Sequence, residues 1–222
     1  MAGQAQAGAG QPSPEKKATP GLRERQKEDR RSRIVDAARQ LFASSGLEDI
    51  TIEAIAEIAG VSSVTVHNYY GTKSGVLLAL VAQSDRQLIE TLERELAGKA
   101  NNLVDLLEAF LDIICQHTLT HLDKAIWRQV IASSVNDTDP RFGKVYTALD
   151  ERLAYVLITE IKVLQAAGHV NPAVKPGDLG KALFNLQNMR FIEFIATDTV
   201  SKDSVVEALK RDTTALLAAM QA

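Results

Sequence analysis

The chain has 222 residues, 45% of them hydrophobic, which is enough to bury a sizeable core in one or two domains. Its longest uninterrupted apolar run, Val76 to Ala82, is far too short to span a membrane, and the first 14 residues lack the charged start and apolar segment of a secretory signal. The single cysteine, Cys115, excludes an internal disulfide. We therefore expect a cytoplasmic protein with no membrane contact.

The charges are distributed unevenly along the chain, although the net charge is only −3. Residues 15–33 contain eight basic and four acidic side chains, whereas residues 76–222 contain 15 basic and 19 acidic ones. This asymmetry predicts that only the N-terminal end meets a polyanion. Two interpretations of the basic segment stay open, a solvated disordered tail or an arm that contacts DNA, and they are compatible because a disordered arm can order on phosphates.

The periodicity of apolar residues predicts an all-α fold. Residues 1–20 are rich in Ala, Gly, Gln and Pro and are predicted to be disordered. The first predicted helix runs from about Asp29 to Ser45 and has one apolar face, made of Ile34, Ala37, Ala38, Leu41 and Phe42. No later segment shows sustained strand-like alternation.

Two short helices and a long one follow. The second helix covers about Ile52–Ala59 with Thr51 as its N-cap, and the third begins at the Ser62–Ser63 cap and ends near Tyr70. Thr72 caps a fourth helix that reaches about Gly98. Five further helices complete a predicted set of nine: Leu103–Leu122, Lys124–Ser134, Pro140–Ala167, Pro176–Thr197 and Lys202–Gln221.

The second and third helices have the residues that a helix-turn-helix requires. Where two short helices cross at a steep angle, only a small side chain fits, and Ala56 stands at that position. The turn needs a residue that accepts positive φ, which Gly60 supplies. The apolar plug comes from both helices: Ile55, Ala59, Val61 and Val66. This combination predicts a DNA-binding helix-turn-helix.

The segment IAEIAGVSSVTVHNYYGTKSGVL resembles the signature of the TetR family of transcription regulators. The resemblance implies a three-helix helix-turn-helix domain followed by a helical ligand-binding and dimerisation domain. We accordingly expect a disordered basic tail over 1–28, a helix-turn-helix DNA-binding domain over 29–75 and a helical ligand-sensing and dimerisation domain over 76–222. Val64 and His67 depart from the family, which commonly has a small residue and a tyrosine there, and both bear on operator preference.

The exposed face of the third helix supplies the candidate DNA contacts. Small hydroxyls at a helix N-terminus suit phosphate binding, and polar side chains further along reach base edges. The lysine that opens the fourth helix resembles the family's phosphate-contacting lysine. The predicted residues are Thr51, Ser62, Ser63, Val64, Thr65, His67, Asn68, Tyr69 and Lys73. Helix capping is the alternative role for Thr51 and Ser62, and core packing is the alternative for Tyr69.

One recognition helix reads only about four to six base pairs, so useful specificity requires a dimer on a pseudo-palindromic operator. The last two helices have broad apolar stripes, and the family resemblance implies that they pair across a two-fold axis. The predicted interface residues are Leu179, Leu183, Leu186, Ile195, Leu209, Leu216 and Met220. The alternative is that these residues form an ordinary intramolecular core.

The resemblance also implies a ligand cavity between the fifth and eighth helices. The predicted lining is Phe110, Ile114, Trp127, Ile131, Tyr146, Tyr155, Phe184 and Asn188, with core packing as the alternative for each. His117 and His121 have the spacing of a metal pair, but Cys115 lies on another helix face, and we predict neither a metal nor a cofactor.

The sequence shows no arrangement of nucleophile and base, so we expect a regulator and not an enzyme. The favoured function is a repressor released from DNA by a small apolar or amphipathic ligand. The alternative is a DNA-binding protein whose body binds a protein partner and has no small-molecule inducer.

Overall fold

The computed structural model describes residues 21–45, 49–136 and 140–220. Within these ranges the chain forms α-helices and no strand, which confirms the predicted all-α fold. The helices are α1 Leu22–Ser44, α2 Ile52–Ala59, α3 Ser63–Tyr70, α4 Lys73–Leu96, α5 Leu103–His121, α6 Lys124–Asn136, α7 Pro140–Ala166, α8 Pro176–Ala196 and α9 Lys202–Met220. None of these helices is long and apolar enough to cross a membrane.

Helix α1 begins at Leu22, earlier than the start predicted near Asp29. Residues 22–28, which we assigned to a tail, are helical. Their charges alternate at helical spacing, as in the pairs Lys27–Glu24 and Arg31–Glu28 at i,i+3. Each such pair contributes only about 0.2–0.5 kcal/mol, but together they favour helix where apolar periodicity is lacking.

The buried apolar residues form two clusters, and α4 belongs to both. Its N-terminal half, including Val76 and Val81, packs with α1, α2 and α3 and with the start of α6. Its C-terminal half, including Leu88 and Leu96, packs with α5, α7, α8 and α9. The helix-turn-helix end and the body are therefore joined by one continuous helix, α4.

The corner between α3 and α4 depends on Gly75. A Cβ at this position would lie 2.0 Å from the backbone oxygen of Tyr70, at the last residue of α3. The Thr72 hydroxyl caps α4 by accepting a hydrogen bond from the Gly75 amide at 3.1 Å. The close approach sets the angle at which the recognition helix leaves α4.

In the body, α7 and α8 approach closely at Gly180, where a Cβ would lie 2.4 Å from a side-chain carbon of Ile158. Helices α8 and α9 are joined by an ion pair in which Arg190 donates from Nε to Asp212 at 2.8 Å. Helix α7 also packs against α4, and residues of α4, α7 and α8 contribute to the walls of the body cavity described below.

Candidate nucleic-acid interface and body cavity

Helices α2 and α3 cross as the sequence predicted. Gly60 adopts φ 63°, in the left-handed region, and ends α2. Ala56 and Val66 are buried between the helices, at 3% and 0% exposure. From α1, Arg33 donates a hydrogen bond to the carbonyl of Ala59 at 3.0 Å, which fixes the turn to the first helix.

The outer face of α3 is open to solvent. Val64 is 64% exposed, and Ser62, His67 and Asn68 are also exposed. Ser63, Thr65 and Tyr69 are partly buried. The chain's own body therefore does not cover the surface that we predicted to meet DNA.

Two of the predicted contact residues also cap helices. Thr51 accepts a hydrogen bond from the amide of Ala54 at 3.1 Å, at the start of α2. Ser62 accepts one from the amide of Thr65 at 3.2 Å, and the two hydroxyls lie 2.9 Å apart. The capping role is present in both cases, and each hydroxyl stays at the surface.

His67 is oriented by the end of its own helix. Its Nδ1 lies 2.8 Å from the carbonyl oxygen of Gly71, which can only accept, so Nδ1 carries the proton. In the neutral ring Nε2 is then a hydrogen-bond acceptor. It can accept from an N–H group of a base or from a bound water, whereas a phosphate oxygen has no proton to donate to it.

The basic part of α1 is held against the C-terminal end of α3. Arg30 donates from Nε to the Tyr69 hydroxyl at 3.2 Å, and the Arg31 guanidinium lies 5.5 Å from the centre of the Tyr69 ring. Tyr70 donates to the carbonyl of Arg31 at 3.3 Å. The sequence analysis missed this cluster because its partners are 38 or 39 residues apart. Lys73, the first residue of α4, is partly buried at the same corner.

A cavity of about 40 Å³ lies in the body. Its walls come from α4 to α8: Val81, Asp85, Leu88, Ile114, Trp127, Tyr146, Leu149, Asp150, Leu153, Gln187, Asn188 and Phe191. Helix α4 therefore forms one wall of this cavity with the stretch that follows its contacts to the DNA-binding end.

Half of the predicted ligand residues lie elsewhere. Ile114, Trp127, Tyr146 and Asn188 line the cavity. Phe110 and Phe184 are instead buried in the body core, and Ile131 packs against that core. Tyr155 is 62% exposed and lines an open groove between α4 and α7. Apolar character identified buried positions, with the exception of Tyr155, but not which of them face the cavity.

The sequence analysis missed two carboxylates in the cavity wall. Asp85 is 6% exposed and accepts a hydrogen bond from Arg152 at 3.1 Å. Burial raises the pKa of Asp85 to about 6, against the opposing effect of Arg152. Burial, and then the charge of Asp85, raise the pKa of Asp150 to about 6.

Two further polar atoms at the cavity lack hydrogen-bond partners among the described residues. They are the indole nitrogen of Trp127 and the side-chain oxygen of Gln187, both fully buried. Such atoms are rare in folded proteins and call for an explanation.

The predicted dimer residues divide into buried and exposed groups. Leu183, Ile195 and Leu209 are buried in the chain's own core, which is the alternative we stated for them. Leu179 and Leu186 are partly buried and Leu216 is 50% exposed. The side chain of Met220 lies outside the described residues.

His117 and His121 stack on each other with ring centres 3.9 Å apart. His117 also makes a 2.7 Å hydrogen bond with Ser84 of α4, and burial, followed by the proximity of His121, lowers its pKa to about 4. In the described part of the chain, no group of three or more His, Cys, Asp or Glu side chains is placed to hold a metal ion.

Comparison with known proteins matches residues 34–80 to the family model described as "Bacterial regulatory proteins, tetR family". The chain is 30% identical over 125 residues to the transcriptional regulator BetI of Stenotrophomonas maltophilia, covering 56% of this chain and 63% of that protein. It is 32% identical over 76 residues to the fatty acid metabolism regulator protein of Bacillus subtilis, covering 34% and 39% respectively. The chain thus spans less than two thirds of these relatives.

Among solved structures, the fold matches that of Thermus thermophilus FadR, a TetR-family transcriptional repressor in complex with lauroyl-CoA. The TM-score is 0.67 at 26% identity, over 84% of this chain and 93% of the other. The match therefore extends through the body as well as the DNA-binding end. Together with the open α3 surface and the Gly60 turn, these likenesses confirm the resemblance of the chain to the TetR family of bacterial regulatory proteins.

Proposed function

We propose that this protein is a dimeric DNA-binding transcription regulator that a small molecule releases from its operator. The observation that carries the proposal is the position of α4. This helix packs against the helix-turn-helix through Val76 to Val81 and forms a cavity wall through Val81, Asp85 and Leu88. A ligand that moves the wall moves the recognition helix.

In this proposal α3 enters the major groove of DNA. Thr65 and Asn68 read base edges, and Val64 packs on a thymine methyl. The hydroxyls of Thr51, Ser62 and Ser63, with Lys73, contact phosphates on either side. Support comes from the exposure of this face and from the Arg30 and Arg31 charges held beside Tyr69.

The dimer is proposed to form through the outer faces of α8 and α9. Met189 on α8 is 64% exposed and Leu216 on α9 is 50% exposed, so both of these neighbouring helices offer a large apolar side chain to a second subunit. The Arg190–Asp212 ion pair holds these two stretches side by side. To read two half-sites one turn of DNA apart, such a dimer would have to hold its recognition helices about 34–36 Å apart.

Release follows from a shift between two conformations. A cavity of about 40 Å³ is much smaller than the ~300–1,000 Å³ of a ligand pocket, so binding must separate α4 from α7 and α8. Operator affinity falls only as far as the ligand discriminates between the conformations, about tenfold per 1.4 kcal/mol. The lauroyl-CoA bound to the Thermus relative supports a small-molecule site in this body.

The experiment begins with recovery of the genomic DNA fragments that the full-length protein retains, from which the operator is defined. Fluorescence anisotropy with that operator then measures affinity with and without candidate effectors. We expect tight, salt-sensitive binding to a pseudo-palindrome and at least a tenfold loss with an effector. Retention of random DNA with no shared half-site would contradict the proposal.

A second function has one observation in its favour. The open groove between α4 and α7 has a volume of about 750 Å³ and includes Ile89, Val145, Ala148 and the exposed Tyr155. Such a groove suits the side chains of a protein partner. If a partner acts there, Tyr155→Glu abolishes its effect on operator binding while cavity variants leave that effect intact.

A further inference from the structure

The cavity wall combines aromatic rings with carboxylates. Trp127, Tyr146 and Phe191 all line it, and the Trp127 and Phe191 rings meet edge to face at 5.3 Å. Asp85 enters from α4 and Asp150 from α7. Aromatic faces and carboxylates both attract cations, so the two features favour the same kind of ligand.

The negative charge of the wall is only partly compensated. Arg152 pairs with Asp85 from the side of the outer groove, where its side chain is 51% exposed. None of the ion pairs in the described part of the chain involves Asp150. The cavity residues from α5, α6 and α8 carry no charge, and Tyr146 is the remaining titratable group.

Two buried polar atoms remain to be satisfied by a ligand. Gln187 is 1% exposed, and its side-chain oxygen, an acceptor, has no donor within the described structure. The Trp127 indole N–H is a donor in the same situation. A complementary ligand therefore offers both a donor and an acceptor in addition to positive charge.

We propose that this cavity binds a small organic cation, an ammonium group with apolar substituents and a hydroxyl group. The ammonium lies between the aromatic rings and the Asp85–Asp150 pair, and the hydroxyl accepts from the Trp127 indole N–H and donates to the Gln187 side-chain oxygen. The inference rests on the proposed function, since it names the ligand class of the same cavity. It also predicts a different ligand from that of the lauroyl-CoA-binding relative, because the two carboxylates would repel the negatively charged CoA thioester.

Binding of a cation is coupled to deprotonation of the two carboxyls. Both groups have a pKa of about 6 in the structure, so they are largely ionised above pH 7 and largely protonated below pH 5. Arg152, Tyr146 and the carboxyls themselves are the charged or titratable groups facing this pair. Affinity for the cation is therefore expected to fall as the pH drops through 6, and affinity for a neutral analogue to stay constant.

The test uses the full-length protein without DNA and measures binding by calorimetry at pH 7.5. The probes are choline, tetraethylammonium and 3,3-dimethylbutan-1-ol, which has the shape of choline with carbon in place of the charged nitrogen. We expect at least one of the two cations to bind tenfold or more tightly than the alcohol. Asp150→Asn should weaken that binding about tenfold, whereas Glu90→Gln, an exposed charge on α4, should not change it.

Three results would overturn the proposal: neither cation binding more tightly than the alcohol, no binding by either cation, or cation binding that Asp150→Asn and pH leave unchanged. The comparison with Asp150→Asn isolates the effect of charge, because this substitution removes the negative charge and keeps the volume of the side chain. If lauroyl-CoA releases the operator while the cations do not bind, the proposed function stands and this inference fails. If a cation binds as described but never releases DNA, the cavity assignment stands and ligand release fails.

Discussion

At the scale of single residues, base reading and phosphate binding predict different mutant phenotypes. Asn68 is exposed on the outer face of α3, whereas Lys73 opens α4 at the corner beside it. A lost base contact affects one position of the operator, and a lost phosphate contact affects every sequence. The two residues can therefore be distinguished by comparing operator variants.

We expect Asn68→Ala to relax preference at one position of each half-site, at a cost of about 1–3 kcal/mol on the preferred sequence. Lys73→Ala should weaken binding to all sequences. It should also reduce the magnitude of the slope of log binding constant against log salt concentration by about one. Fluorescence anisotropy on operator variants at several salt concentrations measures both effects. Uniform loss for both variants would show that our division of roles is wrong.

The raised pKa of Asp150 predicts an effect on the stability of the folded chain. A carboxyl whose pKa is raised in the folded state binds its proton more tightly there, so its contribution favours folding below pH 4 and is lost as the pH rises through 6. Asp150→Asn removes this effect. We expect its melting temperature to exceed that of the wild type by about 2–4 °C at pH 7.5, equivalent to ~1 kcal/mol.

Calorimetric melting of both proteins between pH 4.5 and 8 tests this expectation. The difference should shrink toward pH 4.5, where the wild-type carboxyl is protonated. A variant that is less stable at every pH would mean that Asp150 makes a stabilising interaction in its charged form.

At the scale of elements, the α3–α4 corner links recognition to the body. A methyl group at Gly75 would lie against the Tyr70 carbonyl, so Gly75→Ala must move the start of α4 away from α3. We expect the free energy of unfolding to fall by about 1–3 kcal/mol. The free energy of operator binding should fall by a larger fraction of its wild-type value. Gly177→Ala, at a helical glycine with open space around it, is the matched control.

Denaturant unfolding and anisotropy give the two readouts for this pair. Gly177→Ala should be neutral or slightly stabilising, because alanine restricts the unfolded chain without meeting a neighbour. Normal operator binding by Gly75→Ala would show that the corner does not set the position of α3.

At the scale of the whole molecule, the exposed apolar side chains on α8 and α9 predict the assembly. A lysine in place of Met189 or Leu216 would bury a charge in the proposed dimer interface but remain solvated in a monomer. We expect the double variant Met189→Lys, Leu216→Lys to sediment as a folded monomer and to lose binding to a two-half-site operator. Ile58→Lys, at a 50% exposed position on α2, should sediment as the wild type does.

Sedimentation velocity at micromolar concentration checks this expectation, with circular dichroism to establish folding. A double variant that is still dimeric would place the interface on another face. A wild-type protein that is monomeric would remove the dimer from the proposal altogether.

The sequence by itself determined the helices and the crossing of α2 on α3. Their signals are local. Thr51 and Ser62 each cap a helix by accepting a hydrogen bond from the amide three residues further along. Gly60 supplies a left-handed backbone conformation that other residues avoid. The early start of α1 was missed because its residues carry charge and no apolar period. Local rules succeed where the interacting groups lie within one turn of each other.

Only the tertiary structure decided which residues share the cavity and which apolar side chains remain exposed. Asp85, Asp150 and Gln187 come from three helices and look like ordinary surface residues in the sequence, because burial depends on neighbours far along the chain. Leu209 and Leu216 lie on the same predicted stripe, yet one is fully buried and the other is half exposed. Helical periodicity specifies a face of a helix, whereas the packing of other helices decides how far along that face burial extends.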